Sequence, residues 1–328
     1  MSSPPARGTV EIACDESGFV GGSLFGGTRV FTHASVRLDR GEAREVTDEV
    51  RRQLQVGVHE LKASRLNRPW GRPVADWLCA PDGPLAGRAV VHVTDTRLFG
   101  LARLAQVLTS DSPPEGWWSA REDPECWDRA RRLHAVLAEL PATCEGELLT
   151  AARDLLWLRR RRRHGATIEA WTDVVTAAAT RLPHAQERRL LAGWASPEAV
   201  GRARRYVADP PASPLSEPLL PALRWAVRHW SRHGDVDLVH DEQSVLTPSR
   251  VRAIADELAS SCPGRRLVGF ERVDSKDDPR VQVADLVAGV VRRSYEDAMS
   301  SPDGGPPAGE LGHLVTSDSL VSGPAGRT

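Results

Sequence analysis

The chain has 328 residues, 41% hydrophobic and 27% charged, enough for one large or two modest soluble domains with an ample core. Its formal net charge of −1 conceals strong local charges, so whole-chain charge neither supports nor excludes a nucleic-acid partner. Five scattered cysteines without a Cys-x-x-Cys pair suggest neither a disulfide framework nor a zinc knuckle, and no apolar run approaches transmembrane length.

In chain order, Met1 to Pro5 lacks the charged-then-apolar pattern of a signal peptide, so a cytoplasmic protein without a membrane partner is expected. Thr9 to Asp15 alternates as a strand. Val10, Ile12 and Cys14 share one face; Glu11, Ala13 and Asp15 share the other. The glycine-rich Gly18 to Gly27 reads as a turn or a poor strand, and Val30 to Leu38 as a better one. Glu42 to Leu54 is predicted helical, with acidic residues early and Arg51-Arg52 late, as the helix dipole favours. The conformation of His59 to Ser64 stays open. Pro69, Gly71 and Pro73 mark a break, and Ala89 to Val93 is a short apolar strand.

From about Leu98 to His233 the periodicities are helical and no strand is convincing. Leu148, Ala151, Ala152 and Leu155 follow one face of a helix that runs into five consecutive arginines, Arg159 to Arg163. Those arginines wrap round a helix end, so they read either as a solvated terminus or as an electrostatic landing site for nucleic acid. Most of the tryptophans lie in this block, where packing between helices is the simplest role. The block is predicted to be a helical insertion into an α/β domain.

Strand signals return with Asp235 to Asp241, then a helix opened by Thr247-Pro248, then a strand over Leu267 to Val273. The last long helix carries apolar Val283, Leu286, Val287, Val290 and Val291. Gln282, Asp285, Gly289 and Arg292 form a second stripe on it. Beyond Ser300 the composition is rich in Gly, Pro and Ser, and a poorly ordered tail is expected.

Three carboxylates stand out by position: Asp15 and Asp241 end strands, and Asp285 lies on the last long helix. Strand ends of an open sheet line clefts. Acids gathered there repel unless protonated or bridged by cations, and oxygen-only ligation suits Mg²⁺ or Mn²⁺. Two such ions would clamp the attacking and leaving oxygens of a phosphodiester. There is no Ser-His-Asp pattern and no Gly-x-x-x-x-Gly-Lys loop, so acyl transfer and nucleoside triphosphate hydrolysis find no support.

Asp15-Glu16-Ser17-Gly18, Glu60-Leu61-Lys62-Ala63-Ser64, Asp241-Glu242, and Asp274-Ser275-Lys276 leading to Gln282-x-Ala284-Asp285-Leu286 occur in that order. In these motifs the chain resembles the "domain of unknown function 3800" family, which looks like a branch of the ribonuclease-H-like superfamily. The resemblance spans roughly residues 8 to 95 and 235 to 297, and it implies a ribonuclease-H-like mixed sheet flanked by helices. It also implies Asp15, Glu60, Asp241 and Asp285 as metal-binding, catalytic acids. Glu60 would hold a second metal or orient the water, or else be a surface glutamate. Lys62 would contact a phosphate or be merely solvated. Glu16 and Glu242 neighbour the acids and are possible substitutes for them. Gln282 would hold Asp285 or a phosphate oxygen, and Arg292 would reach the backbone of a bound strand.

The expected organisation is therefore an α/β domain over 8–97 and 235–298, a helical insertion over 98–234, and a flexible tail over 299–328. It remains open whether Ala89 to Val93 belongs to a five-stranded core or is an addition to it. The expected function is a divalent-metal-dependent nuclease or related phosphodiester hydrolase, with DNA or RNA as partner. The alternative is a non-catalytic nucleic-acid- or protein-binding module on the same fold.

Overall fold

The structure is a computed structural model that describes residues 8–18, 24–25, 27–58, 60–112, 115–156, 164–261, 264, 266–301 and 311–321. The arginine run Arg159 to Arg163 lies outside the described residues. The chain opens with strands β1 (Thr9–Ser17) and β2 (Val30–Val36), then helices α1 (Arg40–Leu54), α2 (Ala63–Leu66) and α3 (Arg72–Leu78). Strand β3 (Ala89–Asp95) leads directly into α4 (Thr96–Thr109). Five more helices follow: α5 (Pro124–Leu137), α6 (Ala142–Leu156), α7 (His164–Arg181), α8 (Ala185–Gly193) and α9 (Pro197–Ala208). Helix α10 (Leu219–Trp230), β4 (Asp235–Asp241), α11 (Pro248–Ser261), β5 (Leu267–Val273) and α12 (Pro279–Ser300) complete the order.

The five strands form one mixed sheet in the order β3-β2-β1-β4-β5. β1, β2 and β3 run antiparallel as a meander, whereas β4 and β5 run parallel to β1. Ala89–Asp95 is thus a full member of the sheet, paired along its length with β2.

Helix boundaries follow local chemistry. Asp39 and Glu42 form a reciprocal capping box at α1, with Glu42 N–H donating to Asp39 Oδ1 at 2.8 Å and Asp39 N–H to Glu42 Oε2 at 2.9 Å. Asp95 ends β3 and also caps α4, accepting from the amides of Arg97 and Leu98. Asp278 accepts from Arg280 N–H ahead of α12, where Pro279 takes the first turn.

Both faces of the sheet are covered. Helices α12, α1 and α3 bury one face, through Val283, Leu286 and Val287 of α12 against Ala13, Val30 and Ala34. Helices α10 and α11 bury the other, through Leu220, Leu223, Val227 and Ile254 against Ile12, Cys14, Phe31 and Leu238. Each such side chain contributes roughly 1.5–3 kcal/mol when fully withdrawn from water. Helices α4 to α9 build a separate core around α4, whose residues Leu98 to Leu108 are buried on all sides.

Two expected boundaries need correction. Helix α10 falls within the segment assigned to the insertion, yet it packs on the sheet, and Trp230 Nε1–H donates to Ser35 Oγ at 2.8 Å. The tail is not structureless throughout. Residues 311–321 pair with the open edge of β3: Val91 N–H donates to Leu314 O at 2.7 Å, and Leu320 N–H to Val93 O at 2.8 Å. Leu314 and Leu320 are buried there, so a few apolar residues amid Gly and Pro supply the partner that an edge strand lacks. Among the described residues, no helix is long and apolar enough to cross a membrane.

Candidate functional site

Parallel pairing of β1 with β4 sets Cys14 opposite His240. The next residues, Asp15 within β1 and Asp241 at the end of β4, therefore lie side by side on adjacent strands about 4.8 Å apart and emerge on the same face. That face is the one α12 crosses, and Asp285 stands on α12. The charges of Asp241 and Asp285 reach Asp15, and that of Asp241 reaches Asp285. Burial holds the Asp15 carboxyl well above the usual carboxylate range, and the charges of Glu16, Asp285 and Asp241 push it further up. Burial also raises Asp285, against the pull of Lys62 and the Ala63 amide. Asp241 is raised chiefly by burial, while the amides of Ser275 and Glu242 work the other way.

Each acid has a fixed support. Asp15 Oδ1 accepts from Glu16 N–H at 2.7 Å, and Asp241 Oδ1 accepts from Ser275 N–H at 3.0 Å. Asp285 Oδ2 accepts from Ala63 N–H at 3.4 Å, so the segment joining α1 to α2 lies against α12. Gly289 makes that approach possible, because a side chain there would run into Ala63. The small residue on the Asp285 stripe thus admits a neighbouring backbone.

Glu60 and Lys62 form an ion pair at this margin, with the lysine the more exposed partner. The Glu60 pairing raises the Lys62 ammonium first, and the charges of Asp285 and Asp15 add to it, so it is a cation set over the acids.

Two residues expected at a nucleic-acid surface are tied into the fold, Gln282 buried and Arg292 half-buried. Gln282 is only 4% exposed. Its Oε1 accepts from Arg51 at 3.3 Å and from Leu61 N–H at 3.5 Å, tying α1 and the α2 segment to α12. Arg292 donates to Ser17 Oγ at 3.0 Å and pairs with Glu296 at 2.8 Å, so its guanidinium secures the end of β1. Helical spacing placed both on the Asp285 stripe; it could not reveal that α1 and β1 lie against that stripe.

Glu16 points to the other face of the sheet, as alternation from Asp15 requires. Its Oε2 is sealed from solvent without a hydrogen-bond partner among the described residues. Burial, Asp241 and Glu217 push its pKa up to about 8. Beside it, His33 Nε2 and His240 Nε2 lie 3.2 Å apart, and burial keeps both imidazoles neutral at ordinary pH. His240 Nδ1 is 2.9 Å from the carbonyl of Asp241, which can only accept. His240 therefore carries its proton on Nδ1, and its Nε2 accepts a hydrogen bond from His33 Nε2–H. Glu242 is exposed and lines the groove between α11 and β5, away from the aspartates. Glu217, which joins the Glu16 field from α10's leading end, carried no signal in the sequence.

The donor set is all oxygen, which suits a hard divalent cation. Like-charge crowding around Asp15 is the electrostatic condition a cation would relieve. Among the described residues, however, no three His, Cys, Asp or Glu side chains stand in a closed ligating arrangement. The aspartates share a field rather than a finished cage. Neither family models, curated proteins nor solved structures include a match to this chain.

Proposed function

We propose that this protein is a divalent-metal-dependent nuclease, hydrolysing phosphodiesters of DNA or RNA on a ribonuclease-H-like domain. One observation carries the proposal: Asp15, Asp241 and Asp285 come from two neighbouring parallel strands and a covering helix, the charges of Asp241 and Asp285 raise the Asp15 pKa, and that of Asp241 raises Asp285. The strand order β3-β2-β1-β4-β5, antiparallel in its first three members and parallel in its last two, supports the ribonuclease-H-like assignment. The motif resemblance to the "domain of unknown function 3800" family supports it too.

Asp15, Asp241 and Asp285 would hold the cation, with Glu60 as a further oxygen donor at the margin. A bound Mg²⁺ or Mn²⁺ would supply Lewis-acid charge and an acidified water. Lys62 places a mobile positive charge over the acids and would draw the scissile phosphate toward them. Glu60 restrains that ammonium by pairing with it. Gln282 and Arg292 hold α12 and β1 in register, so their part is positioning.

A non-catalytic nucleic-acid-binding module on the same fold is favoured by one fact, the lack of a closed ligand trio among the described residues. Incubating the protein with labelled DNA and RNA in Mn²⁺ decides between the two. Cleavage that falls about a hundredfold or more in both Asp15→Asn and Asp285→Asn supports the nuclease. Cleavage unchanged in both variants removes the proposed centre, and no cleavage by wild type together with no Mn²⁺ heat in calorimetry leaves the module.

A further inference from the structure

The segment that donates Ala63 N–H to Asp285 continues as an exposed basic arm. From Leu61 to Ala75 it carries Lys62, Arg65, Arg68 and Arg72 and no acidic residue. Among the described residues, Arg65, Arg68 and Arg72 have no carboxylate partner, while Lys62 pairs with Glu60. Between them stands Trp70, 53% exposed. No aromatic ring or guanidinium from the described residues covers Trp70. Trp118, the other large exposed ring, already lies under the Arg224 guanidinium at 5.4 Å.

The arm is braced from beneath. Leu61, Ala63, Leu66, Val74 and Ala75 are buried in the core that α12 shares with the sheet. Asn67 Nδ2 donates to Gly289 O at 3.3 Å, one helical turn beyond Asp285. Gly71 closes the turn against the backbone of Arg65 and Leu66, where a side chain would not fit. A basic turn with an uncovered indole therefore starts beside Asp285 at Ala63 and runs along α12, where its far end, Arg72, lines a groove with Asp76, Arg293 and Asp297.

We infer that this arm, residues 62–72, is a docking platform for single-stranded nucleic acid, with Trp70 stacking one base and the arginines holding the flanking phosphates. Charge complementarity selects a polyanion, and the bare indole selects an unpaired base, because bases inside a duplex already stack on their neighbours. The inference rests on the nuclease proposal only for its purpose, since it would deliver a phosphate to Lys62 and the aspartates; binding itself needs no metal.

The test is fluorescence anisotropy with the full chain in EDTA, using a labelled single strand of about 15 nucleotides and the matching duplex. Trp70→Ala should weaken single-strand binding about tenfold and Trp70→Phe largely restore it, with duplex binding changed less than about twofold. Arg68→Ala and Arg72→Ala should each flatten the plot of log affinity against log salt by about 0.7. No single-strand binding by wild type, binding indifferent to Trp70, or an equal loss on the duplex overturns the platform. Trp70-dependent binding without Mn²⁺-dependent cleavage instead overturns the nuclease and leaves the platform standing. Cleavage with binding that ignores Trp70 does the reverse.

Discussion

Gly289 of α12 faces Ala63 so closely that any side chain on the glycine would occupy the space of the Ala63 methyl group, with Ser17 Oγ next, 3.9 Å away. That one approach brings Ala63 N–H to Asp285 and lays the basic arm beside the aspartates. Gly289→Ala gains about 1 kcal/mol of helix propensity yet overpacks a core contact at about 1–3 kcal/mol. A net loss of about 1 kcal/mol in urea unfolding is expected. Ala63→Gly in the same chain should recover it by vacating the space. A Gly289→Ala protein as stable as wild type, or a double variant weaker than either single one, would show that the helix and the segment are not in contact.

Glu16 sets the acidity of its neighbour. After burial, its charge is the largest influence raising Asp15. Metal ions compete with protons for carboxylates, so affinity climbs with pH until the acids ionise. With its own pKa near 8, Glu16 carries that charge chiefly above about pH 8, so Glu16→Gln should tighten Mn²⁺ binding in calorimetry there and leave it little changed at lower pH. Binding unaltered above about pH 8 counts against Asp15 as a ligand.

How far the sequence carried this site depends on the range of each signal. Alternation along Thr9 to Asp15 and Asp235 to Asp241 sufficed to put both aspartates on one face and Glu16 on the other, but β1 runs two residues past Asp15 to Ser17, so only Asp241 ends its strand. Helical periodicity grouped Gln282, Gly289 and Arg292 with Asp285. What lay against that stripe was illegible, because α1, α2 and β1 reach it from distant parts of the chain. Helix α2 has four residues, too few for a period to register. The β3 edge is closed by Leu314 and Leu320, two apolar residues in a stretch whose composition speaks for disorder.

Glu217 links the fold to pH. Burial lifts its pKa from an ordinary 4.5 to about 7. Below about 4.5 both folded and unfolded chains keep the proton; between there and about 7 only the folded chain does, so stability drains away as pH rises. Glu217→Gln retains an acceptor for Leu219 N–H, now 3.2 Å from Oε1, but cannot ionise. Its unfolding free energy should match wild type near pH 4.5 and exceed it above pH 7, by an amount on the order of 1 kcal/mol given partial solvent screening. Parallel curves for the two proteins across that range would show that Glu217 ionises as freely as in water.

The covered edge of β3 makes the last prediction. Val91, Val93 and Asp95 exchange backbone hydrogen bonds with residues 314 to 320, and Ser319 Oγ accepts from Val93 N–H at 3.0 Å. Deleting residues 311–328 strips these partners and exposes the surface under Leu314 and Leu320. An uncovered edge of apolar Val90, Val91 and Val93 is a template for another strand, which in a concentrated solution is another copy of the same sheet. The truncated chain should melt several degrees lower, about what 1–2 kcal/mol costs a domain of this size, and self-associate on gel filtration as concentration rises. Replacing Val91 with lysine in the truncated chain would not be diagnostic, because Val91 is itself buried. Half-buried Val90 is the better position, and Val90→Lys should suppress the association while leaving the melting point low. A truncated protein that melts with the full chain and stays monomeric would mean that the closing segment does not cover the edge in solution.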